Sequence, residues 1–450
     1  MKATVNIGLL GLGNVGTGVL NILTHNADLL CRRTGKKLMV RKILVKDLSK
    51  QRGLKMPGIH LTDRADDILD DADIHIVVEA MGGEFPAYDY IKKALKNKKF
   101  VVTANKEVVS KHKKEFFELA KKNKVDIYFE ASVGGGIPLI RSLKVGYAAN
   151  KIQTLYGILN GTSNYILTQI EEKQEEFDDA LNDAKKMGFA EADPTMDISG
   201  LDTAYKLTIL AAVAFKMDIT VNDLSYEGIQ DISLKDIVYA KELGYRIKLL
   251  AIAHLLDKEE INFRVHPTMI LLDHPLAAVR NELNAVFLVG DAVGESMLSG
   301  KGAGASPTGS AIVSDIIDIA FDTKIGRFYD TQGKAHVSIE GVDDPLYINK
   351  RNLEDELHQP SLVNICDIYS QFYLRLAISD SPGALARITT VFGENEVSIS
   401  KILQKNTVGL DAEVVVITYH TKEEYLRKSV QVLTTLSVVK HVYSVIHVGF

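Results

Sequence analysis

The 450-residue chain has no tryptophan and only two cysteines, Cys31 and Cys366, which lie far apart in the sequence. Two distant thiols cannot build a disulfide framework or a cysteine-based zinc site, and they are typical of a reducing compartment. The N-terminal residues lead directly into a strand pattern and a glycine turn, with no leader-like segment. We therefore expect a cytoplasmic protein.

The chain also lacks a basic excess and a long apolar run. Its 53 lysines and arginines stand against 58 aspartates and glutamates, a net charge of −5, which argues against a nucleic-acid partner. The longest uncharged apolar stretch, around 207–215, is far too short to cross a bilayer, so we expect no membrane partner. The remaining composition is that of a globular protein, and the length predicts roughly three domains.

The first third of the chain alternates apolar runs with helical patterns. Strand-like runs at 5–10, 38–45, 74–79, 100–103 and 126–129 are separated by helix-like segments such as 87–98 and 111–123. This order predicts an α/β fold with a Rossmann-type, doubly wound parallel sheet. We expect a dinucleotide-binding domain over residues 1–130, completed by a helix at 311–322.

The rest of the chain predicts two further domains. Residues 131–325 mix helical patterns, at 177–187 and 203–215, with alternating stretches at 261–265 and 285–289, which indicates an α+β domain with a mixed sheet. A charged stretch at 326–370 is interpreted as a connector. Residues 371–450 show the order strand, helix, strand, strand, helix, strand, which predicts a ferredoxin-like domain.

A glycine motif follows the first strand pattern. Gly11-Leu12-Gly13-Asn14-Val15-Gly16 matches G-x-G-x-x-G and opens a helix pattern. The first glycine permits the tight turn, the second lets the backbone approach a pyrophosphate, and the third lets helix and strand pack closely. The context predicts that these six residues bind a dinucleotide; a glycine turn without a ligand is the alternative.

Charged residues follow the second strand pattern. Lys46, Lys50 and Arg52 could hold a 2′-phosphate, whereas Asp47 could hold a ribose hydroxyl. These residues favour NADP and leave NAD as the alternative, and a solvated charged loop remains the plain reading for each side chain.

An acidic stretch ends in a lysine. Glu191, Asp193, Asp197 and Asp202 precede Lys206, and Asp202 and Lys206 share one helical face because they are four residues apart. The lysine could carry a proton, and the carboxylates could bind a cationic amino group. An acidic helix N-terminus with one ion pair is the alternative, and the spacing alone favours it.

Several long segments resemble the homoserine dehydrogenase family. EADPTMDISGLDTAYK (191–206) is similar to the signature of that family, and GLGNVG, IVVEAMGG, TANKEVVS, EASVGGGIPLI, LNGTSNYIL and the stretch 274–308 resemble further family segments in the same order. The segment 373–402 resembles an ACT domain, a small-molecule-sensing module often appended to this enzyme.

The resemblance implies an activity and roles for particular residues. The reaction would be the reversible NAD(P)-dependent interconversion of L-aspartate 4-semialdehyde and L-homoserine, on the route to threonine, methionine and isoleucine. Lys206 would be the general acid/base, and Lys106 would lie where substrate and nicotinamide meet. The other substrate contacts would be Glu191, Asp197, Asp202, Asn160, Gly161 and Thr162. Besides the glycine turn and Lys46, the cofactor contacts would be Gly82, Thr103, Lys106, Gly188, Glu191 and Gly302.

The resemblance further implies a sodium ion. The matching residues are Glu130, Val133, Gly135 and Ile137, and a purely structural loop is the alternative. The histidines show no spacing typical of a metal site, and we expect His266 and His274 in turns beside prolines.

The resemblance also predicts assembly and regulation. We expect residues 131–325 to be the catalytic and dimerisation domain of a homodimer or homotetramer, and an amino-acid effector to bind the ACT domain at 371–450. Removal of residues 371–450 should leave activity but change its response to an end product such as threonine.

Two other functions fit a dinucleotide-binding chain. Oxidation of the same semialdehyde to an acyl phosphate needs a cysteine nucleophile, and neither Cys31 nor Cys366 has a catalytic context. An amino-acid sensor without turnover is the second, and the retained Lys206, Asp202 and Glu191 argue against it.

Overall fold

The structure, a computed structural model, describes residues 3–52, 57–256, 260–329, 335–341, 357, 361–406 and 411–449. The chain divides into two compact units. The first comprises Met1–Lys151, Thr208–Thr220 and Gly300–Gln359, and the second comprises Ile152–Leu207, Val221–Ser299 and Pro360–Phe450. Much of the connector expected at 326–370 lies outside the described residues.

A parallel sheet forms the framework of the first unit. Its elements are β1 (Thr4–Leu10), α1 (Asn14–His25), α2 (Ala27–Thr34), β2 (Lys37–Leu44), β3 (His60–Thr62), α3 (Asp66–Leu69), β4 (Ile76–Glu79), α4 (Ala87–Lys96), β5 (Phe100–Thr103), α5 (Lys106–Asn123) and β6 (Ile127–Tyr128). The strand order β3-β2-β1-β4-β5-β6, all parallel, confirms the predicted α/β sheet. The order reverses between β1 and β4, the position at which such sheets bind ligands beyond the strand ends.

The middle of the chain continues with helices and longer strands. These are α6 (Leu139–Arg141), β7 (Ile152–Ile158), α7 (Gly161–Lys173), α8 (Phe177–Lys186), α9 (Thr195–Ile198), α10 (Leu201–Ala214), β8 (Ser225–Tyr226), α11 (Leu234–Glu242), β9 (Tyr245–Leu255), β10 (Ile261–Leu271), β11 (Leu283–Gly290), β12 (Gly294–Lys301) and α12 (Ala305–Asp322). Helix α12 begins earlier than predicted, with Pro307 in its first turn, where a missing N–H costs nothing. Ile312 and Ile316 of α12 share one apolar core with Ile7 and Leu9 of β1.

The C-terminal region forms a second set of strands. A hairpin of β13 (Thr323–Tyr329) and β14 (Ala335–Gly341) precedes β15 (Tyr369–Ser379), α13 (Ala384–Glu394), β16 (Ile399–Asn406), β17 (Asp411–Thr418), β18 (Thr421–Lys422), α14 (Glu423–Leu433) and β19 (Val439–Val448). The antiparallel order β19-β15-β17-β16 gives the predicted ferredoxin-like arrangement.

One mixed sheet runs through the second unit, in the order β12-β11-β7-β9-β10-β19-β15-β17-β16. Strands β10 and β19 pair in parallel at Thr268↔His447 and Met269↔Val448, so the C-terminal strands extend the same sheet. The prediction of a turn at His266 is wrong, because β10 continues through His266 and Pro267 in register with β9. His274, in contrast, accepts a hydrogen bond from the Leu276 N–H in a short turn before Pro275.

Candidate active site

The glycine turn between β1 and α1 has the shape that a dinucleotide requires. Gly11 has a φ of +99°, and a Cβ at Gly16 would lie 2.2 Å from the Gly11 carbonyl oxygen, so both positions need glycine. A Cβ at Gly13 would instead meet open space at the N-terminus of α1. Backbone N–H groups and the helix dipole favour an anion there. The turn therefore fits a pyrophosphate.

The candidate contacts for the cofactor ribose lie in the loop after β2 and differ in whether their side chains are already hydrogen-bonded. Lys46 is exposed, whereas Asp47 Oδ1 accepts hydrogen bonds from the Ser49 hydroxyl at 2.6 Å and the Ser49 N–H at 2.8 Å. These bonds lower the pKa of Asp47. The Arg52 guanidinium donates to the carbonyl oxygens of Lys50, at 2.8 Å, and Asp47, at 2.5 Å. The Asp47 carboxylate is therefore already engaged inside its own loop.

Polar side chains meet where β4 and β5 end. The buried Glu79 accepts a hydrogen bond from Thr103 Oγ1 at 2.6 Å, and burial raises the pKa of the Glu79 carboxyl. Thr103 Oγ1 accepts from the Asn105 N–H at 3.0 Å, and Asn105 caps α5, so Lys106 begins that helix just beyond the strand edge. Gly82 follows β4 with a φ of +80°. Glu79 is not among the residues predicted from the sequence, although an acidic residue that ends an apolar strand is a signal of such a position.

The candidate cation segment begins at a buried carboxyl group. The Glu130 carboxylate oxygens accept from the N–H groups of Ile140 at 2.9 Å and Arg141 at 2.7 Å, and the Glu130 N–H donates to Asp315 Oδ2 at 3.1 Å. Burial raises the pKa of Glu130. Burial, together with the nearby Glu130 carboxylate, raises the pKa of Asp315 well above its ordinary value.

Gly302 lies against the same segment. A Cβ at Gly135 would come within 2.4 Å of the Gly302 carbonyl oxygen, and the Gly136 N–H donates to the Lys301 carbonyl at 3.1 Å. Val133 and Ile137 are buried. Gly135, one of the four predicted cation residues, thus packs against Gly302, and the other three lie within the same short segment, 130–137. Within the described ranges, no group of three or more His, Cys, Asp or Glu side chains is placed to hold a metal.

The predicted acid/base pair lies in the second unit. Lys206 Nζ donates to Asp202 Oδ2 at 2.7 Å and to the Leu159 carbonyl oxygen at 2.6 Å. The side chains are 12% and 2% exposed, which distinguishes this pair from the surface ion pair that the spacing alone suggests. Asn160 Nδ2 donates to Asp202 Oδ2 and to Asp197 Oδ1, each at 2.8 Å. One amide therefore joins the two predicted carboxylates.

Helix α7 places the other predicted substrate contacts beside this cluster. Asn160 is its N-cap, accepting from the Ser163 N–H at 2.7 Å, so the helix begins at Gly161. A Cβ at Gly161 would lie 2.8 Å from a backbone carbonyl oxygen, so only glycine fits. Thr162 Oγ1 donates to the Phe189 carbonyl at 2.6 Å and ties α7 to the loop before α9.

That loop carries the last predicted contacts. Gly188 has a φ of +76°, and Glu191 is exposed. Glu191 therefore lies at the surface of this loop, unlike the largely buried Asp202 and Lys206 side chains. A residue that sequence analysis missed does reach the cluster: Asn284 Nδ2 donates to the Leu159 carbonyl oxygen at 2.8 Å.

Comparisons with known proteins agree with this arrangement. A family model for homoserine dehydrogenase matches residues 138–317, and a model for the homoserine dehydrogenase NAD-binding domain matches residues 11–130. The homoserine dehydrogenase of Bacillus subtilis is 41% identical over 446 residues, which cover 99% of this chain and 98% of that protein. The chain belongs to the homoserine dehydrogenase family.

Solved homoserine dehydrogenases also share the fold. The enzyme from Thiobacillus denitrificans has a TM-score of 0.88 and 37% identity, covering 100% of this chain and 99% of that one. A hyperthermophilic archaeal homoserine dehydrogenase in complex with NADPH has a TM-score of 0.59 and 26% identity, covering 70% of this chain and 97% of that one.

Membership settles the choice among the three functions. Homoserine dehydrogenase is an oxidoreductase that interconverts L-aspartate 4-semialdehyde and L-homoserine with a nicotinamide cofactor, so the predicted activity is confirmed. The two other hypotheses, oxidation of the semialdehyde to an acyl phosphate and an amino-acid sensor without turnover, are rejected. No helix in the described part of the chain is both long and apolar enough to span a membrane.

Proposed function

We propose that Lys206 is the general acid/base of the homoserine dehydrogenase reaction. The observation that carries this proposal is the largely buried Lys206 Nζ, held between the Asp202 carboxylate and the Leu159 carbonyl. During reduction, the Lys206 ammonium donates a proton to the aldehyde oxygen as the carbonyl carbon accepts a hydride. During oxidation, the neutral amine takes the proton from the homoserine hydroxyl.

The carboxylates divide into two roles. Asp202 is almost fully buried and shares its Oδ2 between Lys206 and Asn160, so we assign it to orienting Lys206. Asp197 and the exposed Glu191 are more accessible, and we assign them to the ammonium group of the substrate. The backbone at Asn160, Gly161 and Thr162 and the Lys106 side chain complete the proposed substrate contacts.

The proposed cofactor is NADP, with NAD as the alternative. A bound nicotinamide supplies or accepts the hydride. The open space at Gly13 fits the pyrophosphate, and Lys46 is the proposed 2′-phosphate contact because Asp47 is engaged with Ser49. The NADPH complex of the archaeal relative supports this choice. We place the remaining cofactor contacts at Gly82, Thr103, Lys106, Gly188, Glu191 and Gly302.

We also propose that a sodium ion binds at Glu130, Val133, Gly135 and Ile137. Two observations support a cation in this turn. Gly134 and Gly135 have φ values of +72° and +54°, which give an irregular backbone, and a cation would stabilise the ionised form of the Glu130 carboxyl, which burial disfavours.

The remaining proposals concern organisation. We propose that residues 1–130 with 311–322 form the cofactor domain, 131–325 the catalytic domain, 326–370 a connector and 371–450 an ACT domain with an amino-acid effector. We also propose a cytoplasmic homodimer or homotetramer.

The role of Lys206 is tested with Lys206→Ala in the full chain. Oxidation of NADPH with L-aspartate 4-semialdehyde, followed by absorbance, should show kcat lowered by about a thousandfold, because a positioned acid/base group contributes this much, while the KM for NADPH stays within about twofold. A parallel assay with NADH compares the two cofactors.

Lys186→Ala is the matched control. Lys186 pairs with Asp183 on α8 but is 75% exposed, so its loss should leave kcat unchanged. Near-normal turnover of Lys206→Ala would show that another group moves the proton.

A further inference from the structure

We propose that Asn284 is a positioning residue for Lys206, acting through the main-chain carbonyl of Leu159. The inference rests on the proposed acid/base role of Lys206. Asn284 would not touch the substrate; it would set the direction and the hydrogen-bonding capacity of the carbonyl that holds the lysine.

The geometry comes from strand pairing. Ala285 of β11 pairs with Ile158 of β7, which places Asn284 beside the carbonyl that follows the end of β7. Asn284 is 1% exposed, and its Nδ2 donates to the Leu159 oxygen at 2.8 Å. The same oxygen accepts from Lys206 Nζ at 2.6 Å. Both nitrogens therefore lie within 3 Å of one oxygen.

Only the nitrogen of the Asn284 side-chain amide has a hydrogen-bond partner among the described residues. Among the described residues, its Oδ1 has no hydrogen-bond partner and is buried. A buried polar atom without a partner costs stability, so an apolar side chain would be the better choice if β11 needed only packing here. The amide is better explained by its donor, which points at the Leu159 carbonyl.

A carbonyl oxygen has two acceptor positions. The Asn284 amide occupies one of them, so the Lys206 ammonium has to share the oxygen. Removal of the amide leaves the whole oxygen to Lys206, which stabilises the charged ammonium over the neutral amine. It also frees the Leu159–Gly161 segment, because the same amide lies against Gly161. The oxidation of homoserine needs the neutral amine of Lys206, so the rate of this direction should fall more than the rate of reduction.

Asn164 provides a matched control in the same unit. This buried asparagine on α7 donates its Nδ2 to the carbonyl oxygens of Val279, Asn281 and Leu283, at 3.3, 2.9 and 3.1 Å. The acceptor of Lys206 is a different carbonyl, that of Leu159. Asn164→Ala and Asn284→Ala therefore remove the same group from two similar buried positions.

The experiment measures kcat, KM for homoserine and the pH profile of kcat/KM for homoserine oxidation in the full-length variants. Asn284→Ala should lower kcat roughly tenfold with KM within about threefold, as expected when a reacting group is misplaced. The rising limb of its profile should move about half a pH unit upward. Asn284→Asp should move the limb further in the same direction, because a carboxylate near Lys206 favours its charged form. Asn164→Ala should lower the thermal midpoint and leave the limb in place.

The proposal is overturned if Asn284→Ala lowers the thermal midpoint but keeps the wild-type pH profile. If Asn284→Ala does not fold, Asn284→Leu removes the same amide with a smaller loss of side-chain volume, and the same shift of the pH profile is expected for it. Failure here is separable from failure of the proposed function. Turnover that depends on Lys206, combined with an unmoved Asn284 profile, would reject only the role of Asn284.

Discussion

At the scale of single residues, one buried lysine lies outside the proposed chemistry. Lys248 on β9 is almost fully buried, and its Nζ donates to Asn164 Oδ1 at 2.7 Å and to the Val279 carbonyl at 2.5 Å. Burial, and then the nearby Arg280 and Arg246 guanidinium groups, lower the pKa of Lys248 from 10.5 to about 7. Between these two pH values the unfolded chain holds a proton that the folded chain has lost. The free energy of unfolding therefore rises with pH across this window, and the cost of the buried charge is fully present below it.

Lys248→Met removes this titration. We expect the free energy of unfolding of the wild type, relative to that of the variant, to increase from pH 7 towards 10.5 by up to about 1.4 kcal/mol per pH unit. Urea unfolding across this range measures the difference. Lys173→Met removes an exposed lysine of α7 whose pKa is raised by its hydrogen bond with Asp183, so this variant should show no such increase with pH. Parallel stability curves for wild type and Lys248→Met would contradict the lowered pKa.

At the scale of elements, the sequence predicts best what is close along the chain. The glycine turn and the Asp202–Lys206 spacing are local patterns, and the structure keeps both. Asn284 could not be found in this way, because it reaches Leu159 only through the pairing of β11 with β7. The full length of β10 was missed because Pro267, which lacks an N–H, normally marks a strand end. Pairing along β9 overrides this local preference.

Alanine substitutions at two glycines around the turn between β1 and α1 should affect different properties, one the stability and the other cofactor binding. A Cβ at Gly18 would lie 2.0 Å from the Ala305 carbonyl oxygen of α12, whereas a Cβ at Gly13 meets open space. Gly18→Ala should therefore lower the free energy of unfolding by about 1–3 kcal/mol through overpacking. Gly13→Ala should leave stability unchanged but raise the KM for the nicotinamide cofactor roughly tenfold, because the methyl group enters the proposed pyrophosphate space. Thermal unfolding and steady-state kinetics separate the two effects. Equal cofactor KM for wild type and Gly13→Ala would place the pyrophosphate elsewhere.

At the scale of the whole molecule, the C-terminal strands are tied to the mixed sheet of the second unit by more than the β10–β19 pairing. Arg375 of β15 and Asp236 of α11 form a buried ion pair at 2.8 Å, and Arg375 also reaches Glu413 at 3.2 Å. Burial alone would raise the pKa of Asp236, but the Arg375 guanidinium and the Ser444 hydroxyl hold it below its ordinary value. Removal of residues 371–450 would delete these partners of Asp236 together with strand β19, which pairs with β10. We therefore expect the truncated chain to be less stable than the full chain, while its retained activity and altered response to an end product stay predictions from the sequence.

Arg375→Met tests this coupling without removing the C-terminal strands. The variant should lower the free energy of unfolding by about 3–5 kcal/mol, because the buried Asp236 carboxylate loses its counter-ion. Lys235→Met is the control, since Lys235 also pairs with Glu413, at 3.1 Å, but is 60% exposed. Its cost should stay below about 1 kcal/mol. Asp236→Asn in the Arg375→Met background should recover part of the loss, because it removes the uncompensated charge. Urea unfolding of the four proteins measures these differences. Equal costs for Arg375→Met and Lys235→Met would mean that the sheet pairing alone holds the C-terminal strands in place.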